Sequence, residues 1–224
     1  MSKLQSILSA FKYVPKKTFV LFGLVSAVLV PAAIWAWGPS RTTFTMAVPA
    51  TYVTFNSITD NPGVGDERNF TQIRESGSSQ WQDSQIVESG KEYTIRMYVH
   101  NNAASNLNQV ATNVRASLNL PLNNYTTNFT ANGFISADNA SPAKVWAQVM
   151  VKSAKEFRLN VLSAKYFNNV TGTTNGWTLG NELFTQNGAL LGYNSLDGKI
   201  PGCLQYAGYM IVGVIPEFQE PDVP

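Results

Sequence analysis

Gly90–Pro121 reads GKEYTIRMYVHNNAASNLNQVATNVRASLNLP. Within it Tyr93, Ile95, Met97 and Val99 alternate with Thr94, Arg96, Tyr98 and His100, and further on Val114, Ala116, Leu118 and Leu120 alternate with Arg115, Ser117 and Asn119. Successive side chains of a strand point to opposite faces, so each run has one apolar and one polar face. The pattern predicts two strands that pair in one sheet of a two-layer β domain. The Asn-rich connection between them has room for a turn or two of helix around 102–109.

The same habit extends outward in both directions. Thr51–Ile58 alternates, a turn TDNPGVGDERN follows, and Phe70–Arg74 alternates again; Trp81 and then Ile86–Val87 lead into Gly90. Downstream, Val145, Ala147, Val149 and Val151 share one face, and Phe157, Leu159 and Val161 resume after Ala154-Lys155-Glu156. Gly188–Tyr193 is a short apolar strand, and Gln205–Ile215 is apolar on both faces, the mark of a central strand or a covered edge. The terminal PEFQEPDVP is too rich in proline to continue a sheet. Strands separated by a turn every ten residues or so predict an all-β body of sandwich type.

A chain of 224 residues has room for one membrane segment and one domain with a substantial core. Charged residues make up 13%, about half the usual share, and polarity comes instead from Asn, Ser, Thr and Gln. The net charge of +2 is uneven: Lys3, Lys12, Lys16 and Lys17 lie in the first seventeen residues, and everything from residue 38 carries twelve basic against fourteen acidic side chains. The basic pI therefore reports the tail, and nucleic acid is excluded as a partner. Cys203 is the single cysteine, so no intramolecular disulfide forms. Its plain reading is a small buried hydrophobe, with a reactive thiol or an intermolecular bridge as the other.

Thr18–Trp37, TFVLFGLVSAVLVPAAIWAW, is twenty residues without a charge, about 30 Å as a helix and the thickness of a bilayer core. Lys16 and Lys17 before it hold that end in the cytoplasm, while Trp35 and Trp37 suit the opposite headgroup layer. A removable signal peptide is the competing reading, but its apolar core runs only about 7–15 residues, and the best small-residue site, Ala36-Trp37-Gly38, leaves Pro39 at the new terminus. The chain thus divides into a cytoplasmic basic tail (1–17), a transmembrane anchor (18–37) whose partner is the lipid bilayer, a linker (38–50), an extracytoplasmic β body (51–216) and a Pro-rich tail (217–224).

Gly90, Tyr93, Asn101, Ala111, Asn113, Val114, Leu120 and Pro121 carry a resemblance. The stretch is similar to a bacterial cell-surface β-sandwich repeat domain of unknown function. The segment containing VTFNSITDNPGVGDERNF likewise resembles membrane-anchored surface proteins of small-genome, host-dependent bacteria. The resemblance implies an immunoglobulin-like β-sandwich outside the membrane. The chain departs from that family in lacking tandem copies and in its long second half.

Asp60, Asp66 and Glu67 cluster in one turn with Gly63 and Gly65. Hard cations take several oxygen ligands, so calcium is the one cofactor these residues suggest; ordinary turn chemistry, with Asp66 or Glu67 paired to Arg68, is the other reading. His100, the only histidine, falls at a strand end beside Arg96 and Tyr98 and is expected on the surface. Trp146, Trp177 and Tyr125, with Trp81, are candidates for a sugar-stacking platform. One His and one Cys also fit a sortase-like cysteine transpeptidase in outline, but Cys203 follows Ile-Pro-Gly and no arginine occurs after Arg158, against what such enzymes need. The leading expectation is a protein that is not an enzyme: a single-pass surface protein for adhesion, envelope structure or display, partnered by a surface protein or glycan.

Overall fold

The computed structural model of the chain describes residues 37–220. Its strands are β1 (Trp37–Gly38), β2 (Thr71–Glu75), β3 (Ser84–Ile86), β4 (Tyr93–Val99), β5 (Val110–Ala111), β6 (Arg115–Leu118), β7 (Thr126–Ser136), β8 (Lys144–Asn168), β9 (Trp177–Thr178), β10 (Ala189–Leu190), β11 (Ile200–Pro201) and β12 (Gly208–Phe218). The described chain is all-β, with short 3-10 turns at Ser105–Leu107, Asn181–Phe184 and Leu204–Tyr206. Among the described residues no helix is long and apolar enough to cross a membrane. The expected tail and anchor, apart from Trp37, lie outside the described residues.

β8 organises the sheet. Its first half, Lys144–Lys152, pairs with β7 on one flank and with β1 and β3 on the other; its second half, Phe157–Asn168, pairs with β12 and, at Lys165–Tyr166, with β9. Between the halves Ala154, Lys155 and Glu156 are exposed and the alternation of burial breaks. The main path runs β10-β6-β7-β8-β12-β4-β2, and the sheet doubles back so that β7 faces β2 and β4. A Cβ placed on Gly133 of β7 would stand 2.5 Å from Thr71 Oγ1 and 2.7 Å from Met97 Cε. Between the two faces lie Ile95 and Met97 of β4, Leu118 of β6, Ile135 of β7, Val149 and Leu159 of β8, and Met210 and Val212 of β12. Each such side chain contributes roughly 1.5–3 kcal/mol by leaving water.

β4 and β6, expected to pair with each other, do not. β4 has β2 on one side and β12 on the other, while β6 lies between β7 and β10. Their apolar faces meet the same core from opposite layers, because the connection crosses over: Asn101 bridges Phe55, Ala103 bridges Ala50, and β5 pairs with β11. β12 takes the central place that its two apolar faces predict.

Three further differences have local causes. β7 was not anticipated, since two of its three buried positions are Ala131 and Gly133, which leaves Ile135 as the one large apolar side chain of the inward stripe. Thr51–Ile58 forms no regular strand: Val53–Ile58 are buried while Thr51 and Tyr52 are exposed, and its ladder contacts are isolated bridges at Phe55 and Ile58. β12 continues through Pro216 to Phe218. Leu159, opposite Pro216, gives its N–H to Pro121 O, so the proline faces its missing donor toward the flank that β4 has already left. The stretch read as a linker is tied in as well, with Gly38 opposite Trp146 and Phe44 bridging Ile58, and Trp37, read as the last residue of the anchor, stands opposite Ala147.

Candidate functional site

Beyond Val99 the chain continues His100-Asn101-Asn102. Simple alternation turns His100 outward, but it is 2% exposed, a correction to the surface position expected from sequence. The segment 50–67 covers this end of β4. Asn56 adopts φ 47°, a left-handed conformation that asparagine tolerates better than most residues. Its side chain replaces a neighbouring strand: Oδ1 accepts the His100 N–H at 2.8 Å and Nδ2 donates to Tyr98 O at 2.7 Å.

Under this cover sits a buried polar cluster. His100 Nδ1 lies 2.8 Å from Glu67 Oε1, and the two side chains are 2% and 0% exposed. Asn102 Nδ2 donates to Glu67 Oε2 at 2.7 Å and Asn61 Nδ2 to Glu67 Oε1 at 2.5 Å. Asn102 is itself fixed where its Oδ1 accepts the Ser57 N–H. Asn102 Nδ2 also lies 2.9 Å from His100 Nδ1, so that ring nitrogen has both the carboxylate and the amide beside it. Among the described residues Nε2 is buried and has no hydrogen-bond partner. Nearby, burial and then Arg68 lower the Arg41 guanidinium to about 10, against the pull of Asp66 and Glu67; Arg41 donates to Asn56 O and Ser57 Oγ. Burial and the Glu67 charge push the Tyr98 hydroxyl up.

Cys203 is held beside this cluster by Asn101. Its N–H donates to Asn101 O at 3.2 Å, and Asn101 Nδ2 donates to Ile200 O at 3.0 Å. Gly202 is needed for the close approach, since a Cβ there would stand 2.6 Å from Ala103 O. Cys203 is half-buried, with φ 113° and ψ 148°, backbone territory that is nearly exclusive to glycine. Cys203, His100 and Asn102 line one cavity of about 150 Å³ together with Met46, Ile58 and Leu204. The only histidine and the only cysteine of the chain thus line one cavity although roughly a hundred residues of sequence separate them. The signal that pointed there was their scarcity and not their spacing.

The other candidates disperse. Asp60 Oδ1 accepts the Met46 N–H, Asp66 makes a bidentate pair with Arg68, and Glu67 turns inward to His100. The three carboxylates suggested for calcium thus have separate partners, and no group of three potential ligands occurs among the described residues. Trp146 packs on Gly38, Trp177 stacks on Tyr166 at 6.3 Å, and the Tyr125 hydroxyl donates to Glu217 at 2.7 Å, so each ring has its own separate setting. Arg74 and Arg96 both lie over the Trp81 ring, at 4.3 and 4.5 Å from its centre, an arrangement no local sequence signal announces.

Comparison with family models, curated proteins and solved structures finds no match to this chain.

Proposed function

We propose that this chain is a non-enzymatic, single-pass surface protein, with its amino terminus in the cytoplasm and its β body displayed outside the membrane for adhesion, envelope structure or display. We also infer that the body is an immunoglobulin-like sandwich, its layers being the two halves of the sheet that share β8. The observation that carries the reading is the uncharged run 18–37 behind Lys16 and Lys17, followed by an all-β body. A first segment with lysines on its near side leaves the following domain outside. The body suits that setting, since its core spans both halves of the sheet without a disulfide and its polarity rests on amides and hydroxyls.

The carbohydrate reading gains nothing from Trp146, Trp177 and Tyr125, whose settings are separate. Protease shaving of intact cells that express the full chain tests the display reading. The expected result is release of β-body fragments without lysis; a body that resists protease until the cells are broken overturns it.

A further inference from the structure

We propose that the outward face of β2, β4, β12 and the second half of β8 binds an acidic polysaccharide through the cations Arg74, Arg96 and Lys165. The register puts Gln72, Arg96, Ile211, Lys165 and Thr178 in one row across β2, β4, β12, β8 and β9, and Arg74 follows Gln72 on the same side of β2. Their chain neighbours Ile73, Met97, Val212 and Tyr166 are buried in the core, so the row takes the other face. Among the described residues none of the three cations makes an ion pair.

The charge on this face is uncompensated. Arg74 and Arg96 share the Trp81 ring, and both Nε atoms are buried without a hydrogen-bond partner. Arg96 donates from Nη2 to Gln72 Oε1, whereas the Arg74 side chain gives no hydrogen bond among the described residues. Burial lowers the Arg96 guanidinium from its ordinary value and the Arg74 charge lowers it further, against the pull of Tyr209. Two cations without a counter-charge oppose each other, and salt screens a half-buried pair less than an exposed one. Asp83 stands at the Gln72 edge, but its Oδ1 accepts from the Asn69 and Gln72 amides and it makes no ion pair. Farther along the face, Glu217 is taken by Arg158. An oxyanion from outside the chain supplies what is missing, and guanidinium forks suit one bidentately.

The spacing points to a polymer. Neighbouring strands stand about 4.8 Å apart, so Arg96 and Lys165, with β12 between them, are roughly 10 Å apart at the backbone. That is more than a single carboxylate or sulfate spans. Ile211 lies between the two, and Tyr209 and Phe167 pair in the next row, all half-buried. Apolar and aromatic surface of this kind takes the C–H faces of sugar rings, and the exposed Ser163 and Thr178 offer hydroxyls beside it. A polysaccharide carrying oxyanions on its sugar units matches both the charge and the apolar floor. The choice of a glycan over other polyanions rests on the display reading; binding in vitro does not, so shaving and binding fail separately.

The test measures binding of the full chain, in uncharged detergent at low salt, to immobilised heparin, polygalacturonate, neutral dextran and poly-glutamate. Binding to heparin, polygalacturonate or both is expected, and the pattern tells sulfate from carboxylate; dextran should not bind, and poly-glutamate should bind at least about tenfold more weakly. Arg96→Gln and Lys165→Gln should each cost about tenfold, the size of one charged hydrogen bond, and the triple change with Arg74→Gln should abolish binding. Lys155→Gln, on the exposed break between the halves of β8, should leave affinity within about twofold, as should changing Lys3, Lys12, Lys16 and Lys17 to Gln. Failure to bind either acidic polysaccharide overturns the proposal, as does binding that survives the triple change or disappears with the four tail lysines. Poly-glutamate binding as tight as heparin assigns the face to acidic peptides and overturns the glycan. Thermal melts check that each variant folds; if the arginine variants do not, Lys165→Gln decides.

Discussion

Met97 of β4 lies over Gly133 of β7, close enough that a single added carbon on Gly133 would meet its Cε at 2.7 Å and its Sδ at 2.8 Å. The two residues belong to strands that do not pair, so the contact passes between the facing halves of the sheet. Gly133→Ala should therefore destabilise the domain by about 1–3 kcal/mol through overpacking, as read from the urea midpoint. Adding Met97→Ala should return part of that loss, because the two changes are coupled. Strictly additive effects would mean that the halves do not press together here.

The buried pair of Glu67 and His100 gives a second expectation. Glu67→Ala removes the partner of His100 Nδ1 and the acceptor of the Asn61 and Asn102 amides, and breaking a buried pair from one side costs about 3–5 kcal/mol. Urea unfolding should record a loss of that size, with Glu67→Gln costing less because the amide retains one acceptor. A loss below about 1 kcal/mol, the range of an exposed pair, would contradict the burial described.

Glu217 offers a pH-dependent signal. Hydrogen bonds from Asn160, Tyr125 and Arg158 lower its carboxyl from the ordinary 4.5 to about 2. A carboxylate held below its unfolded value stabilises the fold above the ordinary pKa, and that contribution fades as pH falls from 4.5 to about 2. The residue is more than a third exposed, so the effect on stability is small and the better readout is the titration itself. Carboxyl NMR should find a midpoint well under 4.5 that rises in Tyr125→Phe; an ordinary midpoint in the parent protein refutes the network.

Cys203 sits where glycine is at ease. Cys203→Gly should stabilise the domain by about 1 kcal/mol, relief of an unfavourable backbone region being partly offset by glycine's greater entropy loss. Cys203→Ala, which keeps a Cβ, should show no such gain. Thermal melts of the two variants side by side decide it, and an equal or lower midpoint for the glycine variant removes the claim of strain.

How much of this was legible in the sequence depends on the range of the interaction involved. The alternation in Tyr93–Val99 identifies β4, the apolar character of Gln205–Ile215 makes β12 central, and the polar run 102–109 contains the short 3-10 turn. Arg68 takes Asp66 at two residues' distance. All of these follow from neighbours along the chain, through side-chain periodicity and local charge.

Local pattern by itself determined the all-β class, the faces of the main strands and the absence of a disulfide framework. Tertiary structure alone decided that β4 and β6 occupy opposite layers, that β7 is a strand through its pairing with β6 and β8, and that His100 is buried. His100 is covered because Asn56, forty-four residues earlier, bends into a left-handed turn and offers its amide as a substitute strand. Cys203 reaches the same cavity through Asn101. A strand's periodicity records which faces are wet and dry, but not which distant segment will dry them, since that choice is made by packing across the whole core.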